Sequence, residues 1–413
     1  METNLQRIRT AIEDISRFNS TPGNGCTRFS YSKEDRMAKD YIIEKCLKLG
    51  LSVKVDAVGN IRARLEGTNP SLPVIMVGSH IDTVRHGGNF DGVVGVVGAM
   101  EAVSTLVEND VKLEHPVEII VFAEEEGSNC GSTMVGSKAL TGKYDIYDLH
   151  SLKSPSGVSC YELAKGFGLN PDQIGKHVLS PDEIKAMVEL HIEQSVVLER
   201  EGLPIGIVEA IAGMKTIRIV AEGVPNHAGA TPMGMRQDPM AASAQLISAV
   251  EFIARHKALP DTVATVGRIF CEPNVPNVIP GRVEFTVDIR DVEPQGIDTA
   301  RELIERELEA VSKAYGLRMW SESIGESESI RLSKAVSGAI EESAKELEIP
   351  HMRMNSGAVH DAAMLAGITE VGMIFVPSRN GRSHVPEEHT DYENIKLGCD
   401  ILLRTIMKIS EMK

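Results

Sequence analysis

Aromatic side chains are scarce in this sequence, 4% of 413 residues with a single tryptophan, and no apolar run reaches the ~18 residues that a membrane span requires. A bilayer-spanning helix is therefore not expected. Basic charge is short as well: 43 Lys and Arg against 59 Asp and Glu leave a formal net charge of -16. No basic face is available to neutralise phosphates, which argues against a nucleic-acid partner. Paired cysteines are missing too. The six (Cys26, Cys46, Cys130, Cys160, Cys271, Cys399) contain no C-x-x-C spacing, so neither a thiolate zinc site nor a disulfide framework is expected, and a reducing cytoplasm fits. The N-terminal stretch METNLQRIRTAIEDISRF lacks the apolar centre of a signal peptide and reads as an amphipathic helix.

What is present is a soluble globular composition, 42% hydrophobic and 25% charged, long enough for two domains. A helical pattern over Lys33–Leu49 leads into LSVKVDAVGNIRARLEG, which alternates as a β-hairpin around a Gly turn. The apolar runs Pro73–Val77 and Val117–Ala123 end in Gly-Ser-His and Glu-Glu-Glu-Gly, with a small-residue helix, GVVGVVGAMEAVSTLVEND, between them. Such alternation predicts an α/β domain with a mixed, mostly parallel sheet flanked by helices, whose sites gather at the carboxyl ends of strands. Residues 213–326 change pattern: KTIRIVAEG, the helix Met240–His256, TVATVGRIF, RVEFTVDIR, the helix Ile297–Tyr315 and LRMWSES follow the βαββαβ order of a ferredoxin-like α+β unit. That unit is expected to be inserted into a catalytic domain made of residues 1–212 and 327–413. The α/β pattern then resumes with a helix near 332–347, a strand at Val371–Val376 and a closing helix at 393–411. Segment 143–185 is polar and helical in parts, and no internal repeat is found.

Five places carry chemistry. His80, in Gly78-Ser79-His80-Ile81-Asp82, stands where a buried strand ends, with Asp82 placed to accept its other ring N–H and fix the tautomer. A hydrogen-bonded structural histidine would look the same. Asp91, in Gly87-Gly88-Asn89-Phe90-Asp91-Gly92, precedes a helix and reads either as its N-cap or as a carboxylate that cations can approach closely. Glu124-Glu125-Glu126 ends a strand too apolar for the surface, and adjacent buried carboxylates are costly unless cations compensate. One of them can bind metal while its neighbour stays free as a base. His191, in Glu189-Leu190-His191-Ile192-Glu193-Gln194, shares a strand face with Glu189 and Glu193, as a solvated strand edge also would. His384 lies in Gly381-Arg382-Ser383-His384-Val385-Pro386-Glu387-Glu388, after the Val371–Val376 strand. The stretch Gly131 to Lys138 ends Gly-Ser-Lys rather than Gly-Lys-Ser, so it is not a P-loop. Two carboxylates and three imidazoles at strand-to-loop boundaries supply the mixed N/O donors that Zn²⁺ or Mn²⁺ accepts.

The ordered set GSHIDTV, GGNFDG, AEEEGS, ELHIEQ, NHAGATPM, NVIPG and SHVPEEHT spans almost the whole chain and resembles the M20 metallopeptidase superfamily. It is most similar to the amidase (hydantoinase/carbamoylase) branch, which contains the N-carbamoyl-L-amino acid hydrolases, allantoate amidohydrolases and β-ureidopropionases. The resemblance implies two divalent ions, Zn²⁺ first, with Mn²⁺ or Co²⁺ as alternatives. Asp91 would bridge them, His80 and His191 would hold one, Glu126 and His384 the other, and Glu125 would be the base. His191 points to the amidases, because peptidase relatives usually place a carboxylate there. The resemblance also implies that the inserted unit is a lid and homodimerisation surface, and that His227 reaches a neighbouring subunit's site. Asn277 and Arg290 would hold a substrate carboxylate, with Gln194, Gly357 and Ala358 in further substrate-contacting segments.

The chain departs from the family pattern at Lys215-Thr216, where Arg is common, at Ser195, where Gly is common, and at Val359, again in place of Gly. The expected reaction is hydrolysis of the ureido amide of N-carbamoyl-L-amino acids to amino acid, CO₂ and ammonia. Allantoate or 3-ureidopropionate is the alternative substrate, then an N-acyl amino acid or dipeptide. A catalytically silent amino-acid or metal binder, or an interaction protein without metal, are the readings from other classes.

Overall fold

The computed structural model describes residues 1–412, which fall into two compact units. The first comprises Met1–Glu209, Leu332–Ser356 and the chain from His360 onward, and the second Ala210–Arg331 with Gly357–Val359.

The first unit is built on one mixed sheet, in the spatial order Ser52–Val55, Ile61–Leu65, Val117–Phe122, Val74–His80, Ile184–Ile192, Glu370–Val376 and Ile205–Ile211, with His351–Ser356 also paired to the last of these. The four strands in the middle of that order are parallel, and the hairpin and Ile205–Ile211 run antiparallel to their neighbours. Every residue of Val74–His80 and Val117–Phe122 is buried, as strands covered on both faces require, and this is why they read as unbroken apolar runs. The helices Leu5–Ser16, Val93–Glu108, Lys334–Glu346 and Tyr392–Glu411 pack against one another and the sheet to form the main core. Leu5–Ser16 is capped by Asn4, whose side chain accepts from the N–H groups of Gln6 and Arg7, and it buries Ile8, Ile12 and Ile15 on one face. A smaller apolar cluster that includes Val58, Val135, Ala139, Leu149 and Ile174 organises the polar 143–185 region into short helices.

That cluster holds a correction to the cysteine reading. Cys130 and Cys160, both buried and 30 residues apart, are joined as a disulfide. The remaining four cysteines are free. No local spacing motif marks the pair, because the two residues meet only through the packing of a loop on the Cys160–Gly166 helix.

The second unit has the expected βαββαβ order, Gly213–Glu222, Pro239–His256, Val263–Glu272, Arg282–Asp291, Pro294–Tyr315 and Arg318–Ser327. Its four strands lie in the order Arg318–Ser327, Gly213–Glu222, Arg282–Asp291, Val263–Glu272, all antiparallel, which is the ferredoxin-like arrangement. Arg282–Asp291 alternates strictly, with Val283, Phe285, Val287 and Ile289 buried beneath the two helices. Among the described residues no helix is long and apolar enough to cross a membrane.

Candidate metal centre

Parallel pairing explains how residues far apart in sequence meet in the first unit. His80 is the last residue of its strand and pairs with Phe122, so Glu124, Glu125 and Glu126 leave the sheet beside it. His191 pairs with Phe375 on the neighbouring strand, so Gln194 and the loop that carries His384 leave at the same end. Four adjacent strands thus discharge their loops on one edge, the usual place for a site in an α/β sheet. Glu124, Gln194 and His384 all adopt positive φ there, a conformation that non-glycine residues keep only where surrounding contacts impose it.

Asp91 sits at the centre of the cluster. Its Oδ1 lies 3.2 Å from His191 Nε2 and 3.6 Å from His80 Nε2, and its Oδ2 lies 3.1 Å from His384 Nε2. Glu126 Oε1 is 3.5 Å from the same His384 nitrogen. The donors form two triplets, His80/Asp91/His191 and Asp91/Glu126/His384, which share Asp91 and use one of its oxygens each. Asp91 is not the cap of the following helix. Gly92 takes that position, with φ 65° and no side-chain hydrogen bond. A Cβ at Gly92 would come within 2.5 Å of the His80 ring, so both its backbone angle and its lack of a side chain are needed.

His80 Nδ1 lies 3.1 Å from the Asp82 carbonyl and His191 Nδ1 lies 2.9 Å from the Ile192 carbonyl. A carbonyl only accepts, so each Nδ1 carries the proton and each Nε2 presents a lone pair. The tautomer is set by the backbone carbonyl of Asp82 rather than by its carboxylate, which corrects the expectation from the sequence. The Asp82 carboxylate is 3.7 Å from the ring and instead accepts from the N–H groups of Glu125, at 3.2 Å, and Glu126, at 3.1 Å. It braces the peptides that carry the base and ligand candidates. The third acid of the run turns away: Glu124 accepts from the N–H groups of Asn129 and Cys130 and fixes the loop behind. Glu125 keeps its carboxylate in the cluster, with Oε2 3.8 Å from His80 Nε2.

The charges are balanced only in part. Burial pushes the Glu125 carboxyl well above the ordinary carboxylate range, and burial together with the nearby Asp91 raises Glu126 to about 8. For Asp91 burial acts in the same direction, but the close imidazoles of His191, His384 and His80 outweigh it and hold the group well below its ordinary value. Its hydrogen bond to Asp91 lifts His384 to about 9. Buried carboxylates short of positive charge, and a buried His191 Nε2 with no hydrogen-bond partner among the described residues, fit divalent cations held by N and O donors. A further triplet, Glu189/His191/His360, is already satisfied. Glu189 accepts from Ser79 Oγ at 2.6 Å and Ala362 N–H at 3.2 Å, and His360 Nε2 pairs with Ser356 Oγ at 2.8 Å.

The remaining candidates separate by unit. Gln194 joins the cluster, donating from Nε2 to Asp91 Oδ2 at 2.8 Å. In the second unit, the exposed His227 accepts at Nδ1 from the N–H groups of Gly229 and Ala230, both at 3.1 Å, so its ring proton resides on Nε2. Asn277 lies beside it: its carbonyl accepts from Ala228 N–H at 3.0 Å, and Val278 pairs with His227. Arg290 donates from Nε to Asp288 at 2.7 Å and from Nη1 to the Gly357 carbonyl at 3.0 Å, which puts it next to the Gly357-Ala358 segment. Sequence reasoning missed two residues that hold these loops. Buried Arg28 donates from Nε to the Ile81 carbonyl, between His80 and Asp82, and buried Glu388 lies behind Asp91 and His384. Nothing in their local patterns separates them from surface charges.

A family model described as Peptidase family M20/M25/M40 matches residues 76–408. The chain is 39% identical to the N-carbamoyl-L-amino acid amidohydrolase of Geobacillus stearothermophilus over 98% of each chain, and 36% identical to the allantoate amidohydrolase of Bacillus subtilis over 98% of this chain and 97% of that one. A crystal structure of a hydantoinase/carbamoylase family amidase from Burkholderia multivorans superposes with a TM-score of 0.91 at 30% identity, covering 99% of this chain and 98% of that one. Matched over nearly its full length in sequence and in fold, the chain belongs to peptidase family M20/M25/M40 and, within it, to the hydantoinase/carbamoylase branch of amidases.

Proposed function

We propose that this protein hydrolyses the ureido amide of N-carbamoyl-L-amino acids at a dinuclear metal site. The observation that carries the proposal is the Asp91 carboxylate, shared between two N/O donor triplets with Glu125 beside them. His80, Asp91 and His191 would hold one ion, and Asp91, Glu126 and His384 the other. Zn²⁺ is the first candidate, with Mn²⁺ and Co²⁺ the alternatives. When bound, the ions lower the pKa of water and polarise the scissile carbonyl.

In this reading Glu125 takes the proton of the attacking water and later passes it to the departing nitrogen. Asp82 keeps Glu125 and Glu126 at a fixed spacing through their backbone N–H groups. His227 of the partner subunit would stabilise the oxyanion, and the proton on its Nε2 makes it a donor without any change of charge. Asn277 and Arg290 would hold the substrate carboxylate, with a planar guanidinium suited to that group, and Gln194, Gly357 and Ala358 would line the substrate. The products are the amino acid and carbamate, which decays to CO₂ and ammonia.

The second unit would serve as lid and homodimer interface. In support, its outer strand Val263–Glu272 leaves Val263, Ile269 and Phe270 exposed, and Phe252 is exposed on a helix of the same unit. Sedimentation should give a dimer, and a fully active monomer would remove the cross-subunit role of His227.

Turnover of N-carbamoyl-L-amino acids, allantoate and 3-ureidopropionate by metal-reconstituted enzyme tests the substrate. The first class should be turned over fastest. Negligible activity on it with ready hydrolysis of allantoate would move the assignment to the other named relative.

A further inference from the structure

The two donor triplets are anchored differently. His80 and His191 belong to strands of the central sheet, and the backbone ladder fixes them. Asp91, Glu126 and His384 lie beyond strand ends, on three loops brought together from distant parts of the chain. Glu126 has the Asp82 brace. The other two loops meet on Glu388.

Glu388 is buried, and each of its oxygens serves one loop. Oε1 accepts from the N–H of Phe90 at 2.9 Å and of Asp91 at 3.0 Å. Oε2 accepts from Ser383 Oγ at 2.9 Å and from His384 N–H at 3.3 Å. Ser383 Oγ also lies 2.8 Å from Asp91 Oδ2, so its single proton is shared between the two carboxylates. His384 is held at φ 61°, a conformation that a non-glycine residue leaves readily once its restraints are removed. The space for the carboxylate comes from Gly88, where an added Cβ would lie 2.0 Å from Glu388 Oε1 and 2.4 Å from Glu388 Cβ. The second distance involves the stem of the side chain, so rotation of the carboxylate alone would not relieve it.

We infer that Glu388 is a positioning residue that sets Asp91 and His384 in register and thereby creates the Asp91/Glu126/His384 ion site, without touching ion or substrate. This rests on the proposal that these three residues hold an ion. Residues that orient metal ligands from behind change affinity by about 10–100-fold when removed. Here the larger change should fall on the Asp91/Glu126/His384 ion, two of whose three ligands Glu388 places, while the other ion shares only Asp91 and keeps His80 and His191.

The test is calorimetric titration of metal-free protein with Zn²⁺, and absorption spectroscopy with Co²⁺, on wild type, Glu388→Ala, Glu388→Gln, Gly88→Ala and the reference variant His384→Ala. Wild type should bind two ions. Glu388→Ala should weaken one binding step by about 10–100-fold and the other clearly less, and give the Co²⁺ spectrum of His384→Ala. Gly88→Ala should do the same although Glu388 is intact. Glu388→Gln should fall between, since its amide can still accept from the Phe90 and Asp91 N–H groups but presents hydrogens to the N–H of His384. Wild-type affinities for both ions in Glu388→Ala and Gly88→Ala would overturn the inference, and so would equal weakening of both ions with a fall in melting temperature, which is the mark of a general structural role. Failure of wild type to bind any metal would instead overturn the dinuclear proposal beneath it.

Discussion

Replacing Glu125 with glutamine removes a base while changing almost nothing else. The amide is isosteric with the carboxylate, and the backbone N–H of residue 125 keeps its bond to Asp82 because that bond does not involve the side chain. The five ligand candidates are untouched, and loss of a negative charge relieves the repulsion that Glu126 exerts on Glu125. Metal content should therefore stay at the wild-type level. What disappears is proton transfer from the attacking water, a contribution of about 10²–10⁴ in rate. That range corresponds to roughly 2.7–5.4 kcal/mol of transition-state stabilisation. Since Glu125 is not assigned to substrate binding, the loss should fall on kcat with KM nearly unchanged. The assay is release of amino acid from an N-carbamoyl-L-amino acid at saturation, with elemental analysis of the same samples. A fully metallated Glu125→Gln enzyme that works within tenfold of wild type would refute the assignment of the base.

Asp82→Ala should leave two backbone N–H groups of the acidic run without acceptors at a buried site, at a cost of about 1–3 kcal/mol each; thermal unfolding should show it, and an unchanged melting temperature would contradict the brace. Removing metal with a chelator should lower the melting temperature, and re-addition at 100 times Kd should restore about 2.7 kcal/mol for each ion bound; identical unfolding with and without chelator would contradict a site that needs cations. Thiol titration of the denatured, unreduced protein should count four cysteines, the number left free by the Cys130–Cys160 link. Reduction should destabilise the fold by about 2–4 kcal/mol, and a count of six would remove the disulfide.

How much of this was legible in the sequence depended on whether the signal was local. Strands buried on both faces announce themselves as apolar runs, and the polar residues that end them mark the site edge, so His80, the acidic run and the loop after Glu370–Val376 stood out. The strand alternation of Arg282–Asp291 likewise carried the second unit. Ile205–Ile211 and His351–Ser356 are different, being short strands at one side of the sheet identified by their pairing rather than by a periodic pattern. Asp82 shows the same limit at atomic scale. Its spacing from His80 suggested a carboxylate on the ring, yet strand pairing brings the Glu125 and Glu126 peptides closer to that carboxylate than the imidazole is. Glu388 was invisible for a related reason: Glu387 and Glu388 are adjacent and chemically alike, and only the tertiary arrangement buries one and exposes the other.

The measurement that bears most directly on the dinuclear reading is the metal-to-protein ratio of purified wild type and of an Asp91→Ala chain with native circular dichroism. Because Asp91 completes both donor triplets, wild type should hold two ions and the variant almost none. A wild-type ratio that never exceeds one, or a variant that keeps both ions, would contradict a centre built on a shared aspartate.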